Sequence, residues 1–238
     1  MSDLLNLSPQ EWTAVWLSLR VATVAMLASL PVGIAMAYLL ARGRFPGKAL
    51  LNGIVLLPLI LPPVVTGYLL LLSFGKRGPI GAFLNDHFGI VFSFRWTGAA
   101  LACAVMGFPL MVRAIRLSLE AVDEKLEAAA RTLGAGRLRV LATVTLPLAL
   151  PGVITGMLLS FARSLGEFGA TITFVSNIPG ETRTLPLAIY TFTQVPGGDA
   201  NALRLSFIAV AVSIAALIAS EVMARRATRG MKGQDAAG

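Results

Sequence analysis

The chain has 238 residues, 56% of them hydrophobic and 13% charged, with a formal net charge of +8 and a mean hydropathy of +0.77. An ordinary soluble domain carries about a quarter charged residues, so this shortfall, together with long uncharged runs, places the chain in a bilayer. The basic excess does not call for nucleic acid, because the lysines and arginines sit beside apolar runs, where topology and anionic headgroups account for them.

A helix needs about 20 apolar residues to cross the hydrocarbon. Segments 18–41, 49–74, 97–116, 148–176 and 205–224 qualify, which predicts an all-α integral membrane protein with about five transmembrane helices and room for a sixth element. The start, MSDLLNLSPQEW, lacks a basic region before the first apolar stretch, so the first helix is expected to act as its own insertion signal. Ser8-Pro9-Gln10-Glu11 reads as a capping box with proline at the first helical position. Trp12, Val15, Trp16 and Leu19 follow at helical spacing and set a start in the interface.

The second span carries no charge but holds Pro58, Pro62 and Pro63 ahead of Gly67. Proline removes a backbone donor, so a kink or break is expected there, either as a gating bend or as a static kink. The third span is short and extends by snorkelling of Arg95 and Arg113. Residues 75–96 and 177–204, rich in Gly, Pro, Asn and Asp, read as loops, with a short apolar helix over 186–192 in the second. Gly152-x-x-x-Gly156 has the spacing of close helix packing.

Orientation follows from the basic residues. Thirteen of them (Arg42, Arg44, Lys48, Arg113, Arg116, Lys125, Arg131, Arg137, Arg139, Arg225, Arg226, Arg229 and Lys232) share one side of a five-span topology. Lys76, Arg77, Arg95, Arg183, Arg204 and Arg20 lie towards the other. Positive charge inside then predicts a periplasmic N-terminus and a cytoplasmic C-terminus.

Residues 117–147 are too charged to span. Leu119, Val122, Leu126, Ala129/Ala130 and Leu133 recur at helical spacing, with Glu120, Asp123, Glu124, Lys125, Glu127 and Arg131 between them, as in an amphipathic helix of soluble type. Gly134 and Gly136 allow a sharp turn, and Leu138, Leu141 and Val144 lead to Leu146-Pro147. Two short helices at an angle are expected, with small residues at the bend. They serve either a protein partner that approaches the backbone closely or a bed of headgroups.

Ala129-Ala130-Arg131-Thr132-Leu133-Gly134, followed by Thr145-Leu146-Pro147, resembles the "EAA…G…LP" loop of binding-protein-dependent ABC importer permeases. The resemblance implies a coupling helix that docks on an ATPase subunit through Glu127, Ala129, Ala130, Arg131, Leu133, Gly134, Ala135 and Gly136. One departure is plain: the pattern's glutamate belongs at Ala128, and this chain places Glu127 one position earlier. A fixed salt bridge from that glutamate is therefore not carried over. Ser160 to Phe192, "SFARSLGEFGATITFVSNIPGETRTLPLAIYTF", is similar to the molybdate-importing members of the family, whereas the sulfate permeases share only its Phe-Ala-Arg-x-x-Gly-Glu core.

Arg163 and Glu167, four apart within the fourth span, lie on one helix face. Intramembrane charges are costly and point to function or to mutual neutralisation. On the functional reading, Arg163 with the hydroxyls of Ser160, Ser164 and Thr171 lines a path for a tetrahedral oxyanion, and Glu167 keeps binding weak enough for release. Gly166 and Gly169 are placed to break the helix around Glu167.

One histidine (His87, read as solvated) and one cysteine (Cys103, read as a buried small residue) leave no catalytic constellation and no metal site. There is no G-x-x-x-x-G-K-[ST] loop, so energy must come from another chain. By resemblance, the expected assembly has two permease copies, a cytoplasmic ABC ATPase dimer that binds the ATP and Mg, and a periplasmic oxyanion-binding protein. The expected function is import of molybdate, with tungstate as a second substrate, across the inner membrane by alternating access. Its rivals are a sulfate or thiosulfate importer and an ATP-independent anion transporter.

Overall fold

The computed structural model describes the backbone of residues 7–235 and the side chains of residues 7–219 and Val222. A pair between Glu221 and Arg225, expected from their i,i+4 spacing, lies outside the described side chains. Among the described residues every regular element is helical: α1 Pro9–Arg42, α2 Lys48–Ile60, α3 Pro63–Phe74, α4 Pro79–Phe88, α5 Trp96–Ala121, α6 Glu124–Thr132, α7 Arg137–Val140, a π-helical turn Leu141–Thr145, α8 Leu146–Leu148, α9 Leu150–Leu165, α10 Gly169–Val175, α11 Leu185–Thr193 and α12 Asp199–Asp235.

Helix α1 starts where the capping box places it. The Ser8 N–H donates to Glu11 Oε2 at 2.7 Å, and the Glu11 N–H donates to Ser8 Oγ at 3.3 Å. At 34 residues the helix is about 51 Å long, which exceeds the ~30 Å hydrocarbon and leaves its first turns in the interface, with Trp12 and Trp16 exposed.

The centre is α5, flanked by α1 and α9. Small residues let the backbones approach. A Cβ added at Gly107 would lie 2.5 Å from Ser160 Oγ, one at Gly152 2.1 Å from Ser118 Cβ, and one at Gly156 2.9 Å from the Met111 carbonyl oxygen. The Gly152-x-x-x-Gly156 pattern is thus a packing face of α9 on α5. Close van der Waals contact matters here because lipid removes the hydrophobic drive between helices.

With α5 as a ruler, the broken segments travel the length of the bundle. α2 begins beside the C-terminal half of α5, where Arg116 Nη1 donates to Asn52 Oδ1 at 3.0 Å. α3 ends beside the N-terminal end of α5, where Phe74 meets Phe92 edge-on at 6.1 Å between centroids. Between them the axis turns by 112°, at Leu61 and Pro62. α9 starts against Ser118, and α10 ends with Val175 beside Gly98. Among the described residues, three helices are long and apolar enough to cross a membrane, or up to five spans when each bent pair counts as one.

Several boundaries differ from the sequence expectation. Residues 75–96 were expected as loop, yet α4 lies within them: Pro79 occupies its first position and left-handed Gly89 closes it, so these residues punctuate a helix rather than replace one. α5 runs to Ala121, so Leu119 belongs to the bundle core and not to the amphipathic segment. The fourth span is broken at Gly166–Phe168, and the axis also bends by 74° near Ala149. There Pro147 and Pro151 lack the N–H of a regular ladder, and the Leu146 N–H reaches back five residues to the Leu141 carbonyl. The short helix expected at 186–192 is α11.

Candidate functional site

Two regions concentrate unusual chemistry. The first projects beyond the C-terminal ends of α1 and α5. Asp123 caps α6 by accepting the Lys125 N–H at 2.9 Å. After Thr132 the chain reverses through Gly134, whose φ of +84° is in the left-handed region that a side chain disfavours. The Ala135 N–H then closes the turn on the Ala130 carbonyl at 3.2 Å. The result is the expected pair of short helices with a small-residue bend. Ala129, Arg131, Leu133, Gly134 and Gly136 are exposed, and Ala130 and Ala135 are half-buried. Leu133 and Leu138 are 89% and 82% exposed on either side of the bend.

Glu127 behaves differently. The sequence grouped it with the docking residues and carried over no fixed salt bridge, but its side chain is only 2% exposed and fully engaged. Oε1 accepts from Arg42 Nε at 3.1 Å, Arg42 Nη2 at 2.9 Å and Thr145 Oγ1 at 3.2 Å, while Oε2 accepts from Arg131 Nη2 at 3.2 Å. Arg42 also donates to the Val122 carbonyl at 2.9 Å, and its Nη1 lies 3.6 Å from Glu124 Oε1. Burying a carboxylate is costly unless hydrogen-bonded countercharge surrounds it, and two arginines supply that here. Sequence reasoning missed Arg42, which it read only as a topological charge. The partners stand 85 residues apart, so no helical spacing relates them.

The second region is the break between α9 and α10. Arg163 Nη1 lies 2.6 Å from Glu167 Oε2, and Glu167 Oε1 accepts the Ala170 N–H at 2.8 Å at the start of α10. The glutamate is buried, and the arginine side chain is 26% exposed. The hydroxyls expected to line a path point into packing instead. Ser164 Oγ donates to the Ser160 carbonyl at 2.8 Å and Thr171 Oγ1 to the Phe168 carbonyl at 2.9 Å, and both side chains are buried. Ser160 Oγ is buried without a hydrogen-bond partner against Gly107. Close approach of α9 to α5 buries the two serines, and Thr171 is buried in α10 beyond the break, so among these candidates Arg163 is the one whose side chain stays partly exposed.

The proline bend meets this same break. A Cβ added at Gly67 would lie 2.5 Å from the Ala170 carbonyl oxygen, and one at Gly169 2.8 Å from Pro63 Cβ. Pro63 and Gly67 on one broken helix therefore abut Gly169 and Ala170 on another, while Pro62 sits at the break before α3 and Pro58 stays within α2. Linear reading kept these two sets apart. At the far end, Glu11 is a third buried carboxylate, held by Arg204 Nη2 at 2.5 and 2.6 Å, which ties α12 to the start of α1. His87 is in α4, stacked near Phe83, and Cys103 is buried in α5. Among the described residues, no group of three His, Cys, Asp or Glu is placed to hold a metal ion.

Together these elements make a bundle of broken apolar helices with one polar, apolar-tipped knob at its end, the architecture of a membrane-spanning protein. Residues 29–232 match the binding-protein-dependent transport system inner membrane component family, and the chain belongs to it. It is 65% identical to the molybdenum transport system permease protein ModB of Escherichia coli strain K12, over 92% of this chain and 96% of that protein. It is 40% identical to the sulfate transport system permease protein CysT of Salmonella typhimurium, over 79% of this chain and 67% of that one. Among solved structures, a bacterial ABC transporter involved in the import of the acidic polysaccharide alginate has the same fold, with a TM-score of 0.72 at 18% identity, covering 92% of this chain and 80% of that one. The chain is thus a multi-pass inner-membrane component of a binding-protein-dependent transport system, a transport subunit and not itself an enzyme.

Proposed function

We propose that this chain is the permease subunit of an ATP-driven importer of molybdate, with tungstate as a second substrate. The observation that carries the reading is the 65% identity to a molybdenum permease across nearly the whole of both chains, against 40% over a shorter stretch to a sulfate permease. Two copies form the pathway, with two cytoplasmic ATPases beneath and a periplasmic oxyanion-binding protein above. The N-terminus is periplasmic and the C-terminus cytoplasmic. The grouping of Arg42, Arg44, Arg131 and Arg137 at one end of the bundle supports that orientation.

The α6–α7 knob docks on the ATPase. Leu133 and Leu138 offer apolar contacts, and Ala129, Gly134, Ala135 and Gly136 let the partner reach the backbone; Ala130 and Arg131 flank them. ATP and Mg bind in the ATPase subunits, whose closure draws the two knobs together and rocks the permease halves between inward-open and outward-open states. Arg163, half-neutralised by Glu167, gives the oxyanion a brief contact on its way, and the Pro62–Gly67 bend against Gly169 supplies a joint for gating. In proteoliposomes holding the complete importer, labelled molybdate uptake should require ATP and resist excess sulfate. Equal competition by sulfate overturns the molybdate assignment, and uptake without the ATPase overturns the whole reading.

A further inference from the structure

Glu127 sits in the docking helix yet turns its carboxylate inward, which leaves its purpose unaccounted for by docking. We infer that Glu127 and Arg42 form a strut: a positioning pair that fastens the docking helix to the end of α1, so that displacement of the knob is delivered to the bundle. The inference deepens the docking reading and rests on it.

The geometry carries it. Arg42 is the last residue of α1, and its guanidinium grips Glu127 through two nitrogens and the Val122 carbonyl through one, so one side chain ties α1 to both α6 and the link that precedes it. Thr145, buried at the end of the π-helical turn, hydrogen-bonds the same carboxylate oxygen. α1, α6 and the entry to α9 therefore converge on a single carboxylate. Without that hub α6 is joined to the bundle by the bend at Val122–Asp123, where α5 ends, and by its small packing on α7 and the π-helical turn beyond Gly134. A knob joined only by these would swing on its tethers when pushed. Bound to α1, which packs along α5 and α9, it moves the bundle with it. A carboxylate that is 2% exposed has no face to offer the ATPase, which separates the strut from a docking contact.

The test compares Arg42→Gln, Glu127→Gln and the double variant, in two arms. In the first, the purified chain alone in nanodiscs is followed by hydrogen exchange. Amides of α6 should exchange roughly tenfold faster in each variant, as expected when a local opening loses a strong tie, while those of α5 stay at wild-type rates and show the bundle intact. In the second, the assembled importer is measured for ATPase stoichiometry and for uptake per ATP hydrolysed. Stoichiometry should hold while coupling falls roughly tenfold, within the usual range for linked sites. The double variant should be no worse than either single one, because both changes cut one link. Unchanged exchange in α6 overturns the strut, as does wild-type coupling in either single variant. Loss of the ATPase at wild-type exchange makes the pair a docking contact and also overturns it. If the wild-type chain captures no ATPase, the docking reading falls, and the exchange arm still judges the strut.

Discussion

Glu127 and Glu167 are both buried, both paired with arginine, and both near a helix break, yet they differ in reach. Glu167 pairs with Arg163 one turn away and with the Ala170 N–H beyond the break. Its bonds stay within a stretch of eight residues and hold a local bend in shape. Glu127 draws in Arg42 from across 85 residues and Thr145 from across 18. A local pair satisfies itself, and a long-range pair fixes elements to one another. Burial and charge alone do not distinguish a neutralised bend from a mechanical link; the sequence separation of the partners does.

Perturbation should sharpen that contrast, and the largest effect belongs to the outer face of α6. Ala129→Trp, at an exposed position, should cut ATPase capture by about two orders of magnitude, or about 3 kcal/mol, as for a blocked hot spot. Titration of labelled ATPase against the reconstituted chain reads it. Next is the junction of the two broken helices. Gly67→Leu has no room against the Ala170 backbone and should lower stability by roughly 1–3 kcal/mol through overpacking. Gly166→Ala, with nothing within 4 Å of an added Cβ, should leave the melting temperature in place. A similar loss at Gly166 would mean that the break itself, not its packing, is what matters.

Arg163→Leu should reduce molybdate uptake roughly tenfold, or about 1.4 kcal/mol in the barrier, with ATPase binding unchanged. Full uptake would assign Arg163 wholly to neutralising Glu167. The smallest effect is expected for Glu120→Gln, which leaves the Arg116–Asn52 hydrogen bond in place. The 2.7 Å contact of Glu120 with Arg116 is partly solvated, so thermal denaturation should move by no more than about 0.5 kcal/mol.

The helical architecture was legible in the sequence because apolar length, proline and capping residues act locally. Ser8–Glu11 wrote the start of α1, Pro62 and Pro63 the broken second segment, and Gly134 the turn of the knob. α4 was hidden because Pro79 and Gly89 carry the same composition signal at the ends of a helix as in a loop. The knob's outline was readable from its periodicity, and the family resemblance pointed to its partner. The fastening of Glu127 was not readable. Neither Arg42 nor Thr145 stands in any spacing relation to it, and the one-residue offset from the family pattern argued against a fixed bridge. For the same reason the hydroxyls of Ser160, Ser164 and Thr171 were read as lining a path. Helical spacing gives the serines a face, and Gly107 on α5 shows that this face is packed, while the break puts Thr171 on a different helix.

The most direct measurement places a photoreactive side chain at position 133, the exposed tip of the knob, in the complete importer within native membranes. A cross-link from that position to the cytoplasmic ATPase is expected, strengthened when ATP closes it. Adducts confined to lipid or to the periplasmic binding protein would contradict it.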